Sequence, residues 1–321
     1  MILILSNKWD ITVDFVVREL KRRDAEFLRI NTEDLTKDGV AFYFPGPRLM
    51  VTRDGKAFDL SSCITAIWCR RPGKPFDFLP KEENPSEAIQ KFVSDQWYAC
   101  LEALELIDGA RWINPPAEND RMESKLRQLR LATELGFSIP RTLVSNSGNE
   151  IRAFCHSEND RIVAKALYAP LIEEPDQDFF IFSNVVTQKN LNDDDALSVA
   201  PSIFQQVLSP KIDYRVTVVG SSVFPVRVVS NTGGDEALDW RTRESELRFE
   251  ICKLPQHIEG LCRDYVAKAG LIFGALDLVE YSGEFYFLEI NPNGEWGWLE
   301  KTVGVKISSA ICDILLGEQE S

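Results

Sequence analysis

Two carboxylates and one amide near the end of the chain have the types and the spacing of a hard-cation site. Asp277 lies in one predicted strand, and Glu289 and Asn291 lie in the next. Side chains alternate along a strand with a period of two, so Glu289 and Asn291 point to the same face. Leu288 and Ile290 then point into the core. An oxygen-only ligand set suits Mg²⁺ that also holds nucleotide phosphates. The alternative is a polar sheet face that only meets water.

The turn between these two strands decides whether Asp277 joins the same face. For Asp277 to share the face of Glu289 and Asn291, the residue numbers of each cross-strand pair must add up to an even number. An even sum requires a loop with an odd number of residues. We therefore predict an odd-numbered loop, such as three residues with Gly283 in the left-handed conformation, and not a two-residue turn. Pro292, Asn293 and Gly294 follow the second strand. They predict a loop that bends over this face, which favours a site.

Two lysines and one strand are candidates to bind the rest of a nucleotide. Lys165 ends a run of strand-core aliphatic residues, and an ammonium in such a position often points into a cleft, where it meets phosphate. A surface position is equally consistent with the pattern. Lys125 lies within a predicted helix and, taken alone, is more typical of a solvated lysine. The strand from Phe204 to Leu208 enters a Ser-Pro turn, so it either offers one N–H and one C=O to an adenine or is simply a sheet strand.

The first elements of the chain are predicted from hydrophobic periodicity. Residues 1–6 form a strand, Asp10 caps a helix, and residues 27–30 form a second strand, so the chain opens as a βαβ unit. Asp54-Gly55 predicts a hairpin.

Two longer helices follow. The first is amphipathic, and its predicted inward residues are Ile89, Phe92, Val93, Trp97, Leu101, Leu104 and Ile107. The second runs from about Asp120 to Leu135, with Gly136 directly after its end.

The amino-acid composition limits the classes of protein to which the chain can belong. A length of 321 residues suggests about two domains, or one large domain with several lobes. Apolar residues make up 44% and charged residues 27%, as in ordinary soluble globular proteins. The net charge is −14, from 50 acidic and 36 basic residues, which argues against nucleic-acid binding.

No membrane segment, signal peptide or zinc site is predicted. The longest aliphatic run, Met1 to Leu5, is far shorter than the roughly 20 residues that span a bilayer, and no basic segment precedes it. The seven cysteines lack paired metal-binding spacing and fit reduced thiols in a cytoplasmic protein. With only two histidines, a His-based zinc site is almost excluded.

Several ordered stretches match a known family. The chain resembles ATP-grasp carboxylate ligases across nearly its whole length, and within that superfamily it looks most like the ribosomal-peptide maturases that make microviridins and related graspetides. The matching stretches are residues 120–136, 139–142, 163–165, 213–216, 239–241 (Asp-Trp-Arg) and 287–294, followed by Trp296 and Trp298.

The resemblance implies an α/β fold with α+β lobes. An N-terminal α/β lobe (1–116) precedes a small central lobe (117–203) and a C-terminal antiparallel-sheet lobe (204–321), and ATP lies between the last two. In such enzymes the phosphates would be bound by Lys125 and Lys165, the adenine by the hinge Gln205, Gln206, Val207 and Leu208, the ribose by Asp213, and Mg²⁺ by Asp277, Glu289 and Asn291. The hinge often carries a glutamate where this chain has Gln206, a change that leaves backbone contacts intact.

The resemblance also implies the chemistry. ATP phosphorylates a carboxylate to an acyl phosphate, and a nucleophile then displaces phosphate; positioning and charge neutralisation do most of this work. Arg215, Arg227 and Arg241 are the candidates to neutralise charge on phosphoryl and carboxylate oxygens. For Arg215 and Arg227, which lie in apolar strands, the alternative is a buried ion pair with Asp213 or Glu289. Dipeptide ligases carry an arginine where this chain has alanine 275, which weakens a dipeptide-ligase assignment.

The leading hypothesis is a peptide macrocyclase. It would activate Asp or Glu side chains of a ribosomal precursor peptide, made of a leader and an acidic core, and join them to Thr or Ser hydroxyls as ω-esters or to Lys amines as ω-amides. The run Arg70-Arg71-Pro72-Gly73-Lys74 is one candidate wall for the acidic core; a solvated loop is the alternative.

Two other hypotheses stay open. One is a ligase that adds a free amino acid to a carboxylate, and the other is a non-catalytic nucleotide-binding partner. Relatives commonly form homodimers, so a homodimer is also considered.

Overall fold

The computed structural model describes residues 1–37, 39–46, 48–53, 55–77, 84–168, 171–172, 179–181, 183–230 and 247–318. The first lobe is built on a parallel sheet with the strand order β2-β1-β6-β7. Its strands are β1 (Ile2–Ser6), β2 (Phe27–Asn31), β6 (Ala66–Cys69) and β7 (Arg111–Ile113). Helix α1 (Ile11–Arg22) connects β1 to β2, and the Asp10 side chain accepts a hydrogen bond from the Thr12 N–H at its start. The predicted βαβ unit is confirmed.

A small antiparallel sheet and a long helix complete this lobe. The sheet contains β3 (Gly39–Tyr43), β4 (Arg48–Arg53) and β5 (Lys56–Asp59), so the predicted hairpin is confirmed. Helix α2 (Glu87–Glu102) also forms where expected. The prediction that Ile89 and Phe92 point inward is wrong, because their exposed fractions are 53% and 63%. Only the C-terminal half of α2 packs on the lobe, through Trp97 and Leu101.

The helix predicted over residues 120–135 is in fact two helices. They are α3 (Pro116–Met122) and α4 (Lys125–Leu135). Ser124 lies between them with an extended backbone, and Gly136 ends α4 with a φ of +94°. The break places Lys125 at the first residue of a helix and not in its interior.

The central lobe is an antiparallel sheet with the order β12-β9-β13-β8. Its strands are β8 (Thr142–Ser145), β9 (Arg161–Lys165), β12 (Asn184–Thr187) and β13 (Ser202–Gln206), with the two-residue strands β10 (Leu171–Ile172) and β11 (Phe179–Phe180) paired beside them and the helices α5 (Gly148–Ser157) and α6 (Asp194–Ser198). Strand β13 pairs with both β8 and β9. The predicted boundary after residue 203 therefore falls inside a strand of the central lobe.

The last lobe is a five-stranded antiparallel sheet with the order β16-β15-β14-β17-β18. Its strands are β14 (Ile212–Val219), β15 (Ser222–Ser230), β16 (Leu247–Ile251), β17 (Phe273–Tyr281) and β18 (Glu284–Asn291). One face is covered by α4 and by α7 (Gln256–Lys268), which share a core with β14, β17 and β18.

The two C-terminal helices return to the first lobe. Helices α8 (Gly297–Val303) and α9 (Ile307–Leu316) share one buried core with α1, β1 and β6. The spatial lobes thus differ from the sequence segments, since the end of the chain closes the core that its beginning opens. In the described part of the chain, no helix combines the length and the apolar character needed to cross a bilayer.

Candidate active site

The β17–β18 hairpin brings the two candidate metal carboxylates together by a route that differs from the prediction. Tyr281 pairs with Glu284, so the turn has two residues, and the prediction of an odd-numbered loop is wrong. Gly283 is left-handed as predicted, with a φ of +79°. An irregularity between Asp277 and Leu278 shifts the register by one residue. Asp277 therefore lies opposite Glu289, because a bulge supplies the extra residue that the turn does not.

Leu288 is the extra residue in the bulge. Leu278 pairs with Phe287 and Asp277 pairs with Glu289, so Leu288 has no partner in the ladder. Its side chain lines the cleft described below. The prediction that Leu288 points into the core is therefore wrong, whereas Ile290 is buried as predicted.

Strand β14 adds a buried arginine to this face. Arg215 pairs in register with Asp277, and its Nη1 donates to the Asp277 Oδ1 over 2.9 Å. Both side chains are buried, with exposed fractions of 7% and 9%. The partner of Arg215 is thus Asp277, and not Asp213 or Glu289. The guanidinium of Arg215 thus compensates the buried carboxylate and fixes its position.

Lys125 reaches the same face from the first turn of α4. Its ammonium forms an ion pair with the Glu289 carboxylate. Helix α4 is held against β18 by the buried side chain of Gln128, which donates to the Ile290 carbonyl over 2.9 Å and accepts from the Ile290 N–H over 3.2 Å. The position of Lys125 is therefore set by a specific helix–strand contact.

An open cleft between the central and last lobes begins at Asp277 and Glu289. Its empty volume, which includes space open to solvent, is about 730 Å³. The candidate residues that line it are Lys165, Gln205, Gln206, Leu208, Asp213, Asp277 and Glu289. Val207, Asn291 and Lys125 do not line it. Asn291 lies on the same strand face as Glu289, opposite Ala275, and Lys125 reaches Glu289 from an adjoining cavity.

The cleft contains residues that the sequence analysis missed. Lys211 lines it and forms an ion pair with Asp213. The sequence contained a signal for this pair: Lys211 and Asp213 are two residues apart at the start of β14, which places both side chains on one face. Ser183 and Pro140 also line the cleft, and nothing in their sequence context indicated this.

The candidate hinge lies at the end of β13. The strand ends at Gln206, and residues 207–209 lie outside it. The Gln206 N–H donates to the Arg141 carbonyl over 2.9 Å, and Gln205 Nε2 donates to Thr142 Oγ1 over 3.0 Å. Both glutamines are thus anchored beside β8, and the apolar residues Val163, Leu278 and Val279 also line the cleft.

One predicted arginine is not brought into this group, and another lies outside the described residues. Arg227 pairs in register with Tyr214, so it lies on the opposite sheet face from Arg215, and it forms an ion pair of 2.6 Å with Glu250. The period of two along β14 is the reason. Arg241 lies outside the described residues, together with the rest of the 239–241 triplet.

The loop after β18 bends over the carboxylate face, as predicted. An added Cβ on Gly294 would lie 2.6 Å from the Ala275 Cβ and 2.7 Å from Arg215 Nη2. The Arg215 Nη2 also donates to the Glu295 carbonyl over 3.4 Å. The absence of a side chain at residue 294 is therefore what allows this close approach.

The first lobe holds this loop through Arg70. Its guanidinium is buried, donates to the carbonyls of Asn293 over 2.8 Å and Gly294 over 3.1 Å, and lies 3.1 Å from both the Asp10 and Glu295 carboxylates. Burial lowers the pKa of Arg70, while Asp10 and Glu295 oppose that shift. Arg70 is thus neither a wall for a peptide nor part of a solvated loop.

The residues present fit a nucleotide-bound magnesium ion. Among the described residues, no group of three or more His, Cys, Asp or Glu side chains has the arrangement of a metal site. Asp277 and Glu289 supply two carboxylates and Asn291 an amide oxygen, so phosphate oxygens would have to complete the coordination. This is the usual mode of magnesium binding beside a nucleotide.

Comparison with solved structures gives matches over almost the whole chain. A RiPP-associated ATP-grasp ligase from Chryseobacterium gregarium, in complex with ADP and with a leader and core peptide, is 27% identical, with a TM-score of 0.88 over 99% of this chain and 97% of that chain. The chain has the ATP-grasp fold. The predicted fold class and the predicted resemblance to graspetide-type ATP-grasp maturases are both confirmed.

Two further ATP-grasp structures are similar. The macrocyclase MdnC from Microcystis aeruginosa, bound with precursor peptide MdnA, is 23% identical, with a TM-score of 0.85 over 99% of each chain. The ATP-grasp ligase PsnB, complexed with a phosphomimetic variant of a minimal precursor, Mg and ADP, is 20% identical, with a TM-score of 0.78 over 99% of this chain and 98% of that chain. These two likenesses bear on the fold alone. No protein-family model and no curated protein matches the chain.

Proposed function

We propose that this chain is an ATP- and Mg²⁺-dependent peptide macrocyclase. It activates Asp or Glu side chains of a ribosomal precursor peptide as acyl phosphates and joins them to Thr or Ser hydroxyls or to Lys amines. The observation that carries the proposal is the facing pair Asp277 and Glu289 at the end of an open cleft between two lobes. Asp277 is paired with Arg215, and Glu289 is paired with Lys125. The similar ligase that holds ADP together with a leader and a core peptide supports the choice of substrate.

Each candidate residue in and beside the cleft has a proposed task. Asp277, Glu289 and Asn291 hold Mg²⁺, and Lys125 and Lys165 neutralise the phosphates. Gln205 to Leu208 bind the adenine, for which Val207 supplies only backbone groups, and Asp213 binds the ribose with Lys211 beside it.

Arg215 is proposed to stabilise charge during the transfer. Its guanidinium is fixed between Asp277 and the Glu295 carbonyl, so little reorganisation is needed when phosphoryl oxygens gain charge. ATP supplies the phosphoryl group that turns the substrate carboxylate into a good acyl donor. For Arg227 the structure offers no such task, since it lies on the other sheet face.

The proposed partner is a precursor peptide with a leader and an acidic core. Cytoplasmic localisation and a homodimer stay predictions, and light scattering of the purified protein tests the second of them.

Intact mass spectrometry tests the function. The chain is co-expressed with the small open reading frame nearest its gene, and the peptide mass is compared with that from cells carrying the Glu289→Gln variant. We expect the loss of a whole number of waters, one for each ring, with the wild-type chain only. Hydroxylamine then distinguishes esters, which it cleaves, from amides.

Other outcomes decide against macrocyclisation. A gain of mass equal to an amino-acid residue indicates a ligase that adds free amino acids. An unchanged peptide mass, with nucleotide binding retained by the purified chain, contradicts the proposal and favours a non-catalytic nucleotide-binding partner.

A further inference from the structure

Arg71 is a half-exposed arginine beside the loop that follows β18. Its Nε donates to the Asn293 carbonyl over 3.2 Å, and its Nη1 forms an ion pair with the Glu295 carboxylate. Among the described residues, Nη2 has no hydrogen-bond partner, and 47% of the side chain is exposed. The guanidinium thus combines a fixed position with a face that a ligand can reach.

The backbone of Arg71 is held in an unusual conformation. Its φ is +46°, in the left-handed region that non-glycine residues rarely adopt. The Asn7 side chain stabilises this conformation by donating from Nδ2 to the Arg71 carbonyl over 2.7 Å. Backbone strain of this kind is concentrated at ligand sites, where it aims a side chain.

The other positively charged side chains around this loop already have carboxylate partners. Arg70 is buried with Asp10 and Glu295, and Arg215 is buried with Asp277. Lys125 pairs with Glu289 at the metal end of the cleft. Of the described cations that contact the loop over residues 293–295, Arg71 is therefore the one with an accessible guanidinium.

Arg71 also lies within electrostatic range of the phosphate end of the cleft. Burial raises the pKa of the Glu123 carboxyl, and the positive charges of Lys125 and Arg71 both oppose this shift. The charges of Arg71, Lys125 and Glu289 thus all influence the pKa of the same carboxyl group, that of Glu123. A substrate carboxylate bound by Arg71 would therefore lie near Lys125, one of the proposed phosphate-binding residues.

Glu295 shows that this position accepts a carboxylate. Its Oε1 contacts both Arg70 and Arg71, and its Oε2 accepts from Thr12 Oγ1. If Arg71 turns to another carboxylate, Glu295 keeps Arg70 and Thr12 as partners. The exchange breaks only one partly exposed ion pair, an interaction that solvent weakens.

We propose that Arg71 binds the side-chain carboxylate of the acidic residue that the peptide presents for activation, in exchange for Glu295. The proposal rests on the proposed function and names the residue that selects an acidic side chain. A planar guanidinium binds a carboxylate through two nitrogens, which a lysine ammonium cannot do.

Steady-state kinetics with Arg71→Gln and Arg71→Lys test this assignment. The probe is the peptide processed in the co-expression experiment. We expect Arg71→Gln to raise the KM for the peptide about tenfold or more and to leave the KM for ATP and the melting temperature nearly unchanged. Arg71→Lys should give an intermediate KM. Arg48→Gln is the matched control, since Arg48 is also a partly exposed arginine of the first lobe with one carboxylate partner.

A binding experiment separates recognition from turnover. The wild-type chain should bind the acidic peptide more tightly than a synthetic copy with Asn and Gln in place of Asp and Glu, and Arg71→Gln should lose this preference. The assignment of Arg71 is contradicted, without affecting the proposed function, if the wild type and Arg71→Gln show the same preference for the acidic peptide. It is also contradicted if Arg71→Gln raises the KM for ATP as much as the KM for the peptide. A wild-type chain that processes no peptide overturns the proposed function and the assignment together.

Discussion

At the scale of single residues, the two carboxylates of the candidate metal site are stabilised in different ways. Asp277 is buried against Arg215, whereas Glu289 is partly exposed and pairs with Lys125. Removing one partner of a buried pair leaves a charge without compensation, which is costly, but a partly exposed pair contributes little to stability. Glu289 is therefore the better position at which to test metal binding without unfolding the protein.

We predict that Glu289→Gln raises the Mg²⁺ concentration for half-maximal ATP turnover by about tenfold or more, because one anionic ligand is lost. Phosphate release at varied Mg²⁺ measures this. Glu284→Gln, on the same strand, is the control and should behave like the wild type. A Mg²⁺ dependence that is unchanged in Glu289→Gln contradicts the metal assignment.

At the scale of elements, the β17–β18 hairpin and the loop after it build the site together. The bulge at Leu288 sets Glu289 opposite Asp277, and the loop then returns over the same face because residue 294 has no side chain. Any side chain there would have to displace Arg215 or the loop itself. The loop geometry is thus coupled to the buried ion pair.

We predict that Gly294→Ala lowers turnover at least tenfold and destabilises the protein by about 1–3 kcal/mol, since an added methyl group meets two atoms at less than van der Waals distance. Thermal unfolding and phosphate release measure the two effects. Gly260→Ala is the control: the added Cβ has no atom within 4 Å, and an alanine inside α7 should stabilise the helix slightly. Wild-type activity in Gly294→Ala contradicts the close-approach argument.

At the scale of the whole molecule, α1 and α9 join the beginning of the chain to its end. Arg23, directly after α1, pairs with Asp313 and donates to Ser309 of α9, and it also pairs with Glu19. Hydrogen bonds from Arg22 and Arg23 lower the pKa of Glu19 to about 2 from its ordinary value of 4.5. This carboxylate is therefore charged in the folded state at pH values where it is neutral in the unfolded chain.

We predict that the stabilisation from Glu19 is complete above about pH 4.5 and is lost as the pH falls toward 2, because a depressed pKa favours the folded state only while the group is ionised. Urea unfolding at pH 7, 4 and 3 measures it. The difference in unfolding free energy between the wild type and Glu19→Gln should shrink with the pH. Glu26→Gln, at an exposed residue of the same lobe, is the control. A difference that stays constant down to pH 3 contradicts the prediction.

The sequence alone determined what depends on neighbours along the chain. The shared face of Glu289 and Asn291, the cap at Asp10 and the left-handed end at Gly136 were all predicted, because strand period, side-chain capping and glycine conformation are local properties. The Pro-Asn-Gly loop was predicted for the same reason.

Only the tertiary structure decided which distant residues meet. The bulge that brings Glu289 opposite Asp277, the sheet face of Arg227 and the burial of Arg70 all depend on strand register or on contacts between lobes. Hydrophobic pattern shows that a strand is buried, but it does not show which strand lies beside it or where a ladder slips by one residue. Register and lobe packing are set by the combined free energy of many non-local contacts, and no short stretch of sequence contains that information.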